Sequence, residues 1–219
     1  MNIEIIQQKL EELKKNSVKK KFNQTLDFVA TLKDLNLKIP EQNVDFYAVL
    51  HFPKPKKAKI CAIVGTEMKQ KAEESCDKVI LDKDFEQYKK DPKIIKKLAA
   101  EYDYFIAQAN LMPQIAQIFG KYLGPRSRMP NPKAGCIVTP KTDLRDLTSK
   151  LQMTVRLSAK GQMQVQAAIG TEDTDIKQAA DNVYTLFDQL IHHLPKSEDN
   201  IRKVIVKYTM SEPIEVPLK

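Results

Sequence analysis

The feature that most constrains the fold is a hydrophobic rhythm that changes twice along the chain. Near both ends, apolar residues occur at every second position. Leu26, Phe28, Ala30 and Leu32 form one such set, and Val44, Phe46, Ala48, Leu50 and Phe52 a cleaner one. Met163, Val165, Ala167 and Ile169 follow a turn at Lys160-Gly161, and Val204, Val206 and Tyr208 come last. Period two with one apolar face predicts strands of an antiparallel sheet covered on one side. Between these regions the apolar residues are continuous instead: Ile60 to Val64, Val79 to Leu81, Tyr104 to Ala107 and Cys136 to Val138. Helical stretches separate them, near 66–75, 92–101, 110–121 and 143–150. Short apolar strands alternating with helices predict a parallel sheet covered on both faces.

Two further helices belong to the alternating regions. Ile3, Ile6, Leu10 and Leu13 recur at helical spacing over residues 3 to 13. Residues 174 to 193 place Ile176, Ala179, Ala180, Val183, Leu186, Phe187 and Leu190 on one side. The segment Pro53-Lys54-Pro55-Lys56-Lys57 reads as a linker, and 36–43 with Pro40 as a loop. The expected architecture has two domains. Residues 1–57 with 154–219 form an α+β domain from both chain ends. Residues 58–153 form an inserted, Rossmann-like three-layer α/β domain. Its two connections permit hinge motion.

Charge and composition narrow the function. With 36 basic and 28 acidic residues the net charge is +8, which favours an acidic partner such as nucleic acid. The charge is spread over the chain, with 17 basic and 12 acidic residues between 58 and 153. Cys61, Cys76 and Cys136 are too few and too widely spaced for a disulfide framework or a zinc site, and reduced thiols suit the cytosol. No apolar stretch is long enough to cross a bilayer, and the N-terminus does not resemble a secretion signal.

Catalysis requires convergent titratable groups. The histidines are His51, on the polar side of its strand pattern, and His192-His193, where a helix end favours a cation. Val64-Gly65-Thr66 lies where a phosphate loop would lie, but one glycine cannot bring several amides to a phosphate. The expectation is a protein without cofactor, metal site or enzymatic activity.

Three segments suit recognition. Lys14 to Lys21 contains five lysines and leads into Lys21-Phe22-Asn23-Gln24-Thr25, which combines cation, aromatic, amides and hydroxyl. Residues 124–135 are stiffened by three prolines and carry Arg126, Arg128 and Lys133 with no acid. Tyr208-Thr209-Met210-Ser211 ends the last expected strand.

At these places the chain resembles the ribosomal protein L-one family, the lateral stalk proteins of the large ribosomal subunit. Gly124-Pro125-Arg126-Ser127-Arg128-Met129-Pro130-Asn131-Pro132-Lys133 looks like that family's GPRG-x-MP-x-P signature. The stretch from Lys21 to Lys33 is similar to its first RNA-contacting strand, and Thr209-Met210 to its Thr-Met-Gly. Phe105-Ile106-Ala107-Gln108-Ala109 and Leu111-Met112-Pro113 look like its archaeal-type branch. The resemblance implies a cytoplasmic protein, monomeric when free, that binds large-subunit rRNA. The stalk so formed moves with deacylated tRNA leaving the exit site. Many members also repress translation by binding their own mRNA, and the alternative is a stand-alone RNA-binding regulator. Transferred onto this chain, the RNA face comprises Lys21, Phe22, Gln24, Thr25, Lys160, Gln166, Thr209, Met210 and Ser211. A second contact to RNA or tRNA would come from Arg126, Arg128 and Lys133. The chain departs from the family pattern at Ser211 and Ser127, both glycine in the family. Ser211 and the adjacent Glu212 are expected to weaken a close RNA approach.

Overall fold

The computed structural model describes all residues except 37, 38, 40, 41, 55, 160 and 219. Much of the predicted 36–43 loop, Pro55 of the linker, and Lys160 therefore lie outside the described residues. The chain divides into two compact units, Met1–Lys56 with Met153–Lys219 and Lys57–Gln152.

The first unit has a four-stranded antiparallel sheet. Its strands are β1 (Thr25–Leu32), β8 (Gln164–Thr171), β9 (Ile201–Tyr208) and β10 (Ile214–Val216), in the order β10-β9-β1-β8. Strict alternation in β1 buries Leu26, Phe28, Ala30 and Leu32 and leaves Thr25, Asp27, Val29 and Thr31 on the other face. The helices α1 (Ile3–Asn16) and α7 (Ile176–His193) contribute Ile6, Leu10, Leu13, Ala180, Val183, Leu186 and Leu190 to the same core. Asn2 caps α1 by accepting from the Glu4 amide at 3.0 Å, and Lys14 and Lys15 close it favourably for the helix dipole.

Two details differ from the sequence reading. Met163 precedes β8 and is 43 % exposed instead of sharing its inner face. The register shifts between Leu26 and Asp27, so Ile169 sits at a bulge. In addition, β2 (Asp45–Val49) does not join this sheet. It pairs with β7 (Thr154–Ser158) in a separate two-stranded sheet, Phe46 opposite Leu157. These strands flank the inserted segment, and an insertion whose ends meet brings its two flanks together.

The second unit has a four-stranded parallel sheet in the order β4-β3-β5-β6, from β3 (Ile60–Val64), β4 (Lys78–Leu81), β5 (Tyr104–Gln108) and β6 (Ile137–Val138). Every residue of β3 is buried, as expected for a central strand covered on both faces. Cys61 and Ile63 pack with α3 (Phe85–Lys90), α4 (Pro92–Glu101) and α5 (Met112–Leu123). Ile60, Ala62 and Val64 pack with α2 (Lys69–Ser75) and α6 (Leu144–Met153). The unit is thus a three-layer α/β sandwich.

Candidate nucleic-acid interface

At one end of the antiparallel sheet, loops distant in sequence are tied together by a buried side chain. Gln24 is 1 % exposed. Its Oε1 accepts from the Met210 amide at 2.9 Å, and its Nε2 donates to the Val18 carbonyl at 3.3 Å and to the Glu172 carboxylate. Its backbone carbonyl also accepts from the Glu172 amide at 3.1 Å. One glutamine thus joins the loops after α1, after β8 and after β9. Beside it, Thr209 continues the strand pairing: its amide donates to the Thr25 carbonyl at 3.1 Å, and its Oγ1 accepts from the Thr25 amide at 3.2 Å. Residues 24–25 and 209–210 are therefore neighbours despite their separation in the chain.

Gln24 was expected to contact RNA. Its amide is below the surface and engaged with protein, so its role is to position the loops that are exposed. A buried polar group with its partners satisfied is well suited to that role. Nothing in the sequence separates a buried Gln from an exposed one, because glutamine is usually on the surface.

The exposed residues here are chemically unusual. Phe22 is 50 % exposed, Met210 64 % and Val18 70 %, whereas most large apolar side chains are buried. Lys14, Lys15, Lys19, Lys20 and Lys21 are exposed beside them in sequence. An aromatic ring and soft apolar surface among cations suit an unpaired base and the phosphates that flank it. Ser211 closes the turn after β9, its Oγ accepting from the Tyr208 amide at 2.9 Å and donating to the Glu212 carbonyl at 3.0 Å. Its φ is not in the left-handed region, so the turn itself does not demand glycine there.

The outer face of the sheet extends this surface. Gln166 lies opposite Val29 and is exposed, as expected of a contact residue. Val29 also faces Ile205, and Asp27 faces Lys207. Thr31 is flanked by Gln164 and Lys203. Lys203, Ile205 and Lys207 were not singled out in the sequence, although they alternate with the buried Val204, Val206 and Tyr208. Burial pushes the Asp27 carboxyl above its ordinary pKa, with Lys207 opposing the shift.

In the proline-stiffened loop of the second unit, both arginines also bond within the protein. Arg126 donates to the Ala99 carbonyl at 3.0 Å. Arg128 donates to the Tyr102 carbonyl and pairs with Asp103 at 3.3 Å. Both guanidinium groups brace the loop against the end of α4, where carbonyls are left unpaired by the helix. Arg126 and Arg128 thus also serve the loop's own structure, and Lys133 lies on an exposed turn capped by Asn131. Ser127 has φ of +54°, a conformation that favours glycine.

The crevice between β3 and β5 is the strand-order switch point where α/β sheets commonly bind nucleotides. Here the Gln108 side chain crosses it, accepting from the Gly65 amide at 2.8 Å. The amide a phosphate would use is already engaged. Burial pushes the thiols of Cys61 to about 12 and of Cys76 and Cys136 to about 11, so none is an activated nucleophile. Among the described residues no cluster could hold a metal ion, and no helix is long and apolar enough to cross a membrane.

Known proteins match this chain along nearly its whole length. The model of the Ribosomal protein L1p/L10e family matches residues 13–212. The large ribosomal subunit protein uL1 of Hyperthermus butylicus is 32 % identical over 216 residues, which are 99 % of this chain and 97 % of the relative. That of Thermococcus kodakarensis is 34 % identical over 209 residues, 94 % of each chain. That of Nanoarchaeum equitans is 37 % identical over 202 residues, 90 % of this chain and 93 % of its own. With these archaeal relatives and a three-layer insert between the two parts of an α+β unit, the chain belongs to the ribosomal protein L1p/L10e family, whose members are structural and not enzymatic.

Proposed function

We propose that this chain is a cytoplasmic structural protein of the large ribosomal subunit that binds large-subunit rRNA and so forms the mobile lateral stalk on the tRNA exit side. The observation that carries the reading is the exposed Phe22 and Met210 beside a run of exposed lysines, with buried Gln24 bonding the Met210 amide and the Val18 carbonyl. In this reading the lysines, including Lys21 and Lys160, hold phosphates and fix the register. Phe22 stacks on an unpaired base. Thr25, Gln166, Thr209 and Ser211 offer hydroxyl and amide groups to sugar edges and 2′-hydroxyls. Deacylated tRNA is the second partner, met as the stalk moves. A similar RNA fold in the chain's own mRNA would compete for the same surface and make the monomeric free protein a translational repressor.

The test is equilibrium binding of the full chain to the stalk segment of large-subunit rRNA. Phe22→Ala should weaken binding by about 1–3 kcal/mol, and affinity should fall steeply with salt. Unchanged affinity in Phe22→Ala and in Met210→Ala together would remove this face from the account. Sedimentation of cell extract separates the ribosomal role from the stand-alone regulator: the protein should travel with large subunits.

A further inference from the structure

The inserted unit carries a second concentration of positive charge, on α3 and α4. Lys89 and Lys90 end α3, and Lys93, Lys96 and Lys97 lie on α4. All five are exposed, and none forms an ion pair among the described residues. The lysines of α4 stand at positions i, i+3 and i+4, which puts them on one face of the helix. Ile95, Leu98 and Ala99 are buried on the opposite face. The acids nearby are occupied or apart: Asp91 accepts from the Lys93 amide at 3.0 Å, Glu101 pairs with Lys59 at 3.0 Å, and Glu86 lies on α3.

Lys89 and Lys90 have an ordinary explanation, since cations at a helix C-terminus complement its dipole. Lys93, Lys96 and Lys97 do not. Lys93 stands in the first turn of α4, where the dipole disfavours a cation. Like charges three and four residues apart repel one another. This arrangement costs the isolated protein stability, and a docked polyanion would offset that cost.

We propose that the α3–α4 lysine face is a second RNA-docking surface, one that grips the phosphate backbone without reading sequence. Exposed lysine is depleted from protein–protein interfaces. Among the described residues no large apolar side chain from 83 to 101 is exposed to form the core of one. Hydrated point charges on a regular helix suit the repeating phosphates of an RNA strand better than an acidic protein. This surface is on a different unit from the Phe22 face, and its existence does not depend on that reading.

The test measures full-chain binding to a mixed-sequence RNA duplex over a salt series. Lys93→Gln/Lys96→Gln/Lys97→Gln removes the charge and keeps the stems and helix propensity, and Lys93→Arg/Lys96→Arg/Lys97→Arg restores the charge. Circular dichroism melts check that both variants fold. The Gln variant should bind every duplex more weakly and flatten the slope of log K against log salt by about 2, and the Arg variant should match the parent. An unchanged slope in the Gln variant overturns the proposal. So does an unchanged slope combined with lost binding to polyglutamate, which would assign the face to an acidic protein. Neither result bears on the Phe22 face, whose own test uses the rRNA stalk segment and Phe22→Ala.

Discussion

Single residues show where local conformation and position oppose chemical expectation. Ser127 occupies left-handed backbone at φ +54° on an exposed loop. A β-carbon there is strained, so Ser127→Gly should stabilise the protein by about 0.5–1 kcal/mol, the steric relief exceeding glycine's entropic cost. A lower midpoint in denaturant would contradict the assignment. Gln24 has the opposite character, being correct for its place but invisible as a buried residue in sequence. Gln24→Ala leaves the Met210 amide and Val18 carbonyl without this partner and should cost about 1–3 kcal/mol. RNA affinity should fall as well, because Val18 and Met210 lose their common anchor. Asp27 adds a pH dependence. Its folded pKa lies above the ordinary value, so the folded state favours its acid form. That preference contributes stability fully below the unfolded value of about 4 and is lost as pH rises through the folded pKa. Asp27→Asn should therefore raise the melting temperature at pH 7 relative to the parent and change little near pH 3. A larger gain at pH 3 than at pH 7 would refute that sign.

At the scale of elements, periodicity was legible where one face dominates. The helix at 92–101 and the alternation of β1 follow directly from residue spacing, because burial on one side leaves a regular apolar stripe. Two short elements, β10 and α3, were not legible. β10 has three residues and α3 six, too few to complete a pattern. The pairing of β2 with β7 was hidden too, because alternation shows which face is buried but not which strand lies alongside. Polar residues inside the core escaped for a related reason. Asn182 and Gln189 are polar and fall outside the apolar set read for this helix, yet Asn182 is fully buried. It accepts from the Phe52 amide at 3.1 Å and donates to the Ile169 carbonyl at 3.1 Å, while Gln189 donates to the Val49 carbonyl at 2.9 Å. These amides tie α7 to the backbone of β2, of β8 and of the residues just after β2. Asn182→Ala should destabilise by about 1–3 kcal/mol, read as a shift of the urea midpoint. A neutral result would mean that water replaces the amide.

At the scale of the molecule, fold and family were legible together, because the rhythm changes and the motif residues are spread over the chain. The candidate site was legible in part. Phe22, Thr209 and Met210 emerged from chemistry and resemblance, whereas the bracing of the 124–135 loop by its own arginines did not. A cation on a proline-stiffened loop looks the same in sequence whether it reaches outward or folds back onto helix carbonyls. Net charge of +8 with acids interspersed means that RNA binding depends on placement. The most direct measurement is ultraviolet crosslinking of the full chain to the rRNA stalk segment, with the attached peptides mapped by mass spectrometry. Adducts are expected at Lys21-Phe22 and at Met210. Adducts concentrated instead on α2, around Lys69 and Lys71, with none at Phe22 or Met210, would contradict that expectation.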